Sequence, residues 1–275
     1  MSRTAVYTGL VLRSRSSGEA NNEVFLLTAE EGIIRATVFG GPKSKLRAFA
    51  SPYNSGQVWV YRDKTKDYAK LNDFDVRSWR PGLRELYDRT MAAAAVAETI
   101  LTSHGGGGDW GTALKLAAET LDALETANEE LSSRLLVHFL WRWCAFLGIQ
   151  PHVENCARCF SRGSCAGNSV ARSGQGNDAP LWFDVREGAA HCAECNELEP
   201  SVRRTENSNL QFGEQKSGFI KLNPGCRKWL SAAGELEPSL LHRYSMDHKS
   251  FSEAKALVCA VLAEALGKRL ASWDW

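Results

Sequence analysis

Along the first third of the chain, apolar and polar positions alternate in short runs. Alternation over Ala5–Leu12, the apolar run Val24–Leu27, and the stretches Ile33–Val38 and Val58–Tyr61 predict strands, with weaker signals at Tyr68–Leu71 and Phe74–Val76. Glu30-Glu31-Gly32 predicts the hairpin turn between the second and third strands. No helical pattern in this region is long enough to cover an open sheet. Such strands bury a core by closing on themselves, and a small barrel of the oligonucleotide-binding (OB) type is the economical solution. An SH3-like barrel satisfies the same pattern.

After Pro81-Gly82 the period changes. Leu83, Tyr87, Met91, Ala94, Ala97 and Leu101 form one helical stripe ending before Gly105 to Gly108. Asp109 is an N-cap candidate for a second helix carrying Trp110, Leu114, Ala117, Leu121 and Leu124. A third, over about 129–147, buries Leu135, Leu136, Phe139, Trp143 and Phe146 and stops at Gly148 before Pro151. Short links make this an antiparallel helical bundle. Further on, Leu181–Val185 and Gly218–Leu222 predict short strands, with Arg186-Glu187-Gly188 as a turn leading back to Cys192. Helices follow near Pro224–Ala233 and from about Ser252 to Leu270. Ser161–Ala179, rich in Ser, Gly and Asn, reads as a loop or disordered insertion. The expectation is a multidomain α+β protein, with an OB-type barrel over residues 1–80 and a helical domain over 81–275.

Charge refines this picture. The net charge is +1 over 275 residues, but its distribution is uneven. Residues 1–80 carry 13 Lys/Arg against 8 Asp/Glu, and residues 81–155 carry 5 against 10. A polyanion would therefore meet the N-terminal end. The apolar run within Met1–Ser17 is too short for a signal peptide or membrane span, and no later run reaches transmembrane length, so no membrane role and a cytoplasmic location are expected.

Cysteine spacing adds a long-range constraint. Cys156-Ala157-Arg158-Cys159 and Cys192-Ala193-Glu194-Cys195 are two Cys-x-x-Cys pairs separated by 32 residues. Each two-residue gap aims two thiolates at one ion, and two such turns complete the tetrahedral shell of a structural zinc site, within an insertion at about 152–200. Two separate disulfides or a redox dithiol are the competing readings, and a reducing compartment disfavours disulfides. Cys165, His152 and His191 are alternative ligands, or ordinary loop residues. Cys144, Cys226 and Cys259 lie in apolar stretches and read as core. A full thiolate shell leaves no open coordination position for catalysis.

Catalytic motifs fail on inspection. Gly40-Gly41-Pro42-Lys43-Ser44 has Pro where a P-loop needs Gly, and no helix pattern follows. His152-Val153-Glu154 lacks the Pro-preceded knuckle of zinc deaminases. His-Glu-x-x-His and Gly-x-Ser-x-Gly are absent from the sequence. The chain reads as a non-enzyme. Two other classes stay open: a nucleic-acid-modifying enzyme holding substrate on a zinc ribbon, and an interaction adaptor whose barrel never meets nucleic acid.

The order of motifs resembles the bacterial recombination mediator family RecO. The resemblance rests on Leu10-Val11-Leu12-Arg13-Ser14-Arg15, Gly18-Glu19-Ala20-Asn21, Leu26-Leu27-Thr28 leading to Gly32, and the basic segment Gly40-Gly41-Pro42-Lys43-Ser44-Lys45. It continues through Phe146-Leu147-Gly148-Ile149-Gln150-Pro151 into the first knuckle, then Leu222-Asn223-Pro224 and Leu266-Gly267-Lys268-Arg269-Leu270. It departs in the Ser161–Ala179 insertion and at Asn21, where Asp is common. The resemblance implies DNA repair and homologous recombination: binding of single- and double-stranded DNA, annealing of complementary strands, and help in loading RecA onto DNA coated by single-stranded DNA-binding protein (SSB). It implies RecR and the acidic C-terminal tail of SSB as partners, in the nucleoid-associated cytoplasm.

With the basic first domain, it assigns DNA contact to Arg13, Arg15, Arg35, Lys43, Lys45, Arg47, Lys64, Lys66 and Lys70, with ordinary solvated charge as the alternative for each. Tyr61 and Tyr68 offer either stacking faces or core packing. Arg134 and Arg142, eight positions apart on one helix and flanking Leu135 and Phe139, are candidates for docking the SSB tail, or else ordinary salt-bridge partners.

Overall fold

The computed structural model describes residues 4–18, 20–41, 43–63, 68–162, 179–196 and 218–273. They fall into two compact units, one of residues 1–139, 237–241 and 270–275, the other of 140–236 and 242–269.

In the first unit, five strands close into a barrel: β1 Thr4–Ser17, β2 Asn21–Thr28, β3 Gly32–Val38, β4 Ser55–Asp63 and β5 Tyr68–Ser78, in the order β1-β2-β3-β5-β4. All neighbours are antiparallel except β3 and β5, which meet in parallel at Thr37↔Lys70. This is an OB-like barrel, as the alternation predicts. Val11, Val24, Leu26, Ile34, Val38, Val58, Val60, Leu71 and Phe74 fill it.

β1 is longer than the pattern suggests because it serves two partners. Thr4–Leu10 pairs with β4 and Gly9–Ser17 with β2, with a register shift between Val11 and Arg13 that bends the strand. The two weaker signals over 68–76 merge into one strand, since pairing with β4 bridges the polar residues between them. The hairpin at Glu30-Glu31-Gly32 forms as expected, with Gly32 at φ 70° and the Thr28 hydroxyl donating to the Gly32 carbonyl at 2.8 Å.

A one-turn helix, α1 Lys45–Phe49, was not visible in the pattern. It stands because Leu46 and Phe49 pack against the barrel core. The chain reaches it through Gly40, whose φ of 115° suits glycine and whose added Cβ would lie 2.9 Å from the Ser44 Cβ.

The predicted helix from Leu83 begins later. Pro81–Arg84 is a 3₁₀ turn and α2 spans Tyr87–Thr102. Asp109 caps α3 Trp110–Leu124, accepting from the Thr112 amide at 3.0 Å. α2 and α3 pack against β1, and α3 also against β2. This explains why Leu10, Leu12 and Leu27 are buried although Val11 and Leu26 point into the barrel. α4 Glu129–Phe146 follows, and the division between units falls within it.

The second unit holds a three-stranded antiparallel sheet in the order β7-β6-β8: β6 Leu181–Asp184, β7 Ala189–His191 and β8 Phe219–Leu222. β7 lies between the predicted turn at Arg186-Glu187-Gly188 and Cys192, where the pattern predicts no strand. It is three residues long and exists through its pairing with β6. A short helical turn, α5 Ala193–Asn196, leads on from the sheet, and α6 Pro224–Glu235 is capped by the Asn223 side chain. α7 spans His248–Leu266, starting earlier and ending earlier than Ser252–Leu270. Asp247 caps its start, and Gly267 in the left-handed region at φ 66° stops it. Among the described residues no helix is long and apolar enough to cross a membrane.

Candidate metal centre and nucleic-acid interface

The second unit brings both Cys-x-x-Cys pairs to one point. The sulfurs of Cys156, Cys159, Cys192 and Cys195 all lie within 4.8 Å of one another, and Cys159 Sγ sits 3.7 Å from Cys192 Sγ. A disulfide needs about 2.05 Å. Four thiolates about 2.3 Å from a tetrahedral ion stand about 3.8 Å apart. The donor set therefore suits a soft, tetrahedral ion and is compatible with zinc.

Local chemistry builds each half. α4 stops at Gly148, φ 71°, where the Ile149 amide donates to the Cys144 carbonyl at 2.9 Å. Within the first knuckle the Phe160 amide donates to the Cys156 carbonyl and the Cys156 amide to the Ser161 carbonyl. Phe160 takes φ 60° with its ring 80 % exposed. The second half is aimed by the β6–β7 turn, where the Asp184 carboxylate accepts from the Arg186 amide at 2.8 Å and the Glu187 amide at 3.2 Å. The Ala157 amide donates to the Ala190 carbonyl at 2.8 Å and joins the halves.

His191 is taken by Glu187, Nε2 to Oε2 at 2.9 Å. His152 is exposed and outside the four-sulfur cluster, and Cys165 lies outside the described residues. Cys144, Cys226 and Cys259 are buried, as read, and burial pushes the Cys144 and Cys226 thiols far up.

A clamp that the sequence did not reveal holds the first knuckle. Arg227 on α6, buried, donates Nη1 to the carbonyls of Glu154 (2.9 Å) and Arg162 (3.0 Å), and Nη2 to that of Ala179 (2.9 Å). One guanidinium thus ties both flanks of the knuckle to the approach to β6. Arg227→Ala leaves three carbonyls without this donor. It should cost about 3–5 kcal/mol and loosen metal retention, measured by thermal melting and a chelator competition. An unchanged melting curve would show the clamp to be dispensable.

The nine cations assigned to DNA separate into three groups. Lys64 and Lys66 lie outside the described residues. Arg15 on β1 and Arg35 on β3 both bind Glu23 on β2, the strand between them. Burial alone would raise the Glu23 carboxyl, but hydrogen bonds and charge from Arg35 and Arg15 outweigh it and hold the carboxyl below its usual range. Those two arginines therefore present one net positive charge rather than two. Arg13, Lys43, Lys45, Arg47 and Lys70 have no ion pair among the described residues. Lys43 and Lys45 are exposed at the start of α1 and Arg47 is half-buried on it.

The two arginines of the helical pair are each engaged within the fold. Leu135 and Phe139 are fully buried core residues and offer no groove floor. The Arg134 side chain is 11 % exposed and pairs with Glu130 at 3.6 Å, while Arg142 Nη1 donates to the Leu236 carbonyl at 2.9 Å.

A closed OB-like barrel, followed by helices and a four-cysteine cluster of metal-site geometry, defines a multidomain α+β protein. The family profile for the recombination protein O N-terminal region matches residues 1–79, and that for its C-terminal region matches 84–204. The chain belongs to the recombination protein O family, and its role lies in DNA repair and recombination.

It is 31 % identical to the DNA repair protein RecO of Rubrobacter xylanophilus over 74 % of this chain and 89 % of that one. It is 27 % identical to that of Desulfitobacterium hafniense, covering 96 % and 86 %. With the one from Anaeromyxobacter dehalogenans identity is 28 %, over 98 % and 94 %.

Proposed function

We propose that the chain is a non-catalytic, DNA-binding recombination mediator that anneals complementary single strands and assists RecA loading onto SSB-coated DNA. The observation that carries this is a run of cations, Lys43, Lys45 and Arg47, with no acidic partner among the described residues, on an OB-like barrel of a DNA repair family. Such cations are available to phosphate, whereas Arg15 and Arg35 are half-neutralised by Glu23.

In this reading residues 1–80 form the nucleic-acid-binding domain, and residues 81–275 a helical domain interrupted at about 152–200 by the metal-binding insertion. Cys156, Cys159, Cys192 and Cys195 hold one structural zinc ion, whose shell is completed by thiolates and takes no part in chemistry. RecR and the acidic tail of SSB are the proposed protein partners, and the nucleoid-associated cytoplasm the proposed site of action. To take a peptide carboxylate, Arg134 and Arg142 would have to release Glu130 and the Leu236 carbonyl.

The test is an annealing assay with two complementary labelled oligonucleotides at low and moderate salt. The full chain is expected to accelerate duplex formation severalfold, less so as salt rises. No acceleration at low salt, or turnover of a nucleic-acid substrate, would overturn this reading.

A further inference from the structure

The barrel closes at an uneven seam. β3 and β5 meet at one register position, Thr37↔Lys70, whereas the other strand pairs run as ladders of seven or more residues. Beside this seam lies an open groove of about 450 Å³, walled by β3 from Ile33 to Thr37 and by Arg62, Asp63, Tyr68 and Ala69.

Among the described residues its charged lining cancels. Arg35 is bound to Glu23, and Arg62 pairs with Glu31 at 2.5 Å and lies over the Tyr7 ring. Glu23 and Asp63 add two acids, so among the described residues the lining carries two cations against two acids.

Tyr68, which lines the groove, has an aromatic neighbour outside that lining. The alternation of β3 puts Val38 into the core and turns Phe39 outward, 44 % exposed. The Phe39 ring lies 6.4 Å from that of Tyr68, tilted by 60°, and Lys70 Nζ is 5.3 Å from the Phe39 centroid. An exposed phenylalanine ring, backed by a half-buried tyrosine and with one lysine ammonium over it, offers a flat face to a base and a cation to the adjacent phosphate.

We infer that Phe39, with Tyr68 and Lys70, is a base-stacking platform that makes this seam selective for unpaired nucleotides. The inference rests on the reading of the barrel as the DNA-binding domain and deepens it. Duplex DNA keeps its bases stacked on each other and offers the platform only phosphate. A single strand can turn a base onto Phe39. The platform therefore supplies strand selectivity, while the cations around α1 supply affinity for either form.

The experiment measures fluorescence anisotropy of the full chain with a labelled oligothymidine and a labelled duplex of equal length, across a salt series. Phe39→Ala is expected to weaken single-strand binding about 5- to 100-fold, as loss of one stacking contact does. The salt slope and the duplex affinity should stay as in the unmutated chain. Phe39→Trp should restore single-strand binding and shows that the site, not the fold, is being read.

Unchanged single-strand affinity in Phe39→Ala, equal losses on both forms, or no rescue by Phe39→Trp would overturn the inference while leaving DNA binding intact. If the unmutated chain binds neither oligonucleotide at low salt, the DNA-binding reading itself fails, and the platform with it. Binding of an aromatic-bearing peptide that depends on Phe39, with no Phe39 effect on oligothymidine, would assign the groove to a protein partner and likewise overturn it.

Discussion

Serine at Cys156 and Cys192 together is expected to abolish metal content and lower the melting temperature of the chain by about 10 °C or more. Both thiols are fully buried in a cluster where the sulfurs stand within 4.8 Å of one another. Without an ion, four clustered thiolates, two of them buried, repel each other, and four neutral thiols leave weak donors facing weak acceptors. A metal-bound shell would remove both costs while joining two chain segments 32 residues apart.

The measurement is metal per chain by atomic spectroscopy on protein purified without chelator, with a thermal melt beside it. One zinc per unmutated chain and none in the double variant is the expected result. Stoichiometric metal in the double variant would sink the ligand assignment. The barrel lies in the other compact unit, so DNA affinity should change little as long as that unit stays folded.

Alanine at Lys43, Lys45 and Arg47 together is expected to weaken DNA binding and flatten its salt dependence. If all three meet phosphate, the log-log slope falls by about 2 on single strands and about 3 on duplex. Nothing among the described residues offsets these cations, so their full charge is available. Arg15→Ala should do less, because it also frees Glu23 from one of its two partners. An unchanged slope in the triple variant would show that α1 faces away from DNA. The folded state should tolerate the change, since Leu46 and Phe49, not the cations, pack α1 onto the core.

These two expectations draw on different depths of the sequence. The cysteine pairs were legible at once, because a two-residue gap is a local property that dictates where two sulfurs point. The barrel was legible for a similar reason, since alternation over residues 5–38 records which side of each strand meets the core. α1 and β7 were not legible. Five and three residues are too few to show a period, and each stands on what it packs or pairs with. Helix ends shifted for related reasons: Pro81 starts a 3₁₀ turn, and Gly267 reaches a left-handed φ that ends α7.

Charge was the least legible property of all. Counting Lys and Arg treated Arg13, Arg15, Arg35 and Lys43 alike, and the fold then sorted them. The cross-strand registers Arg15↔Glu23 and Phe25↔Arg35 bring two arginines to one carboxylate, whereas Arg13, Lys70 and the basic segment at α1 have no ion pair among the described residues. Arg227 closes the knuckle from 65 to 73 residues away in sequence on its Arg162 and Glu154 sides. Arg134 and Arg142 looked like neighbours along a helix, yet the core took the apolar residues between them.

By itself, then, the sequence determined the closed barrel, the helices and the meeting of four cysteines, because backbone period and ligand spacing are encoded within a few residues. Only the tertiary structure decided which charges are available, where the barrel seam opens and which aromatic ring faces water. Those depend on strand register and on long-range contacts that no local pattern records.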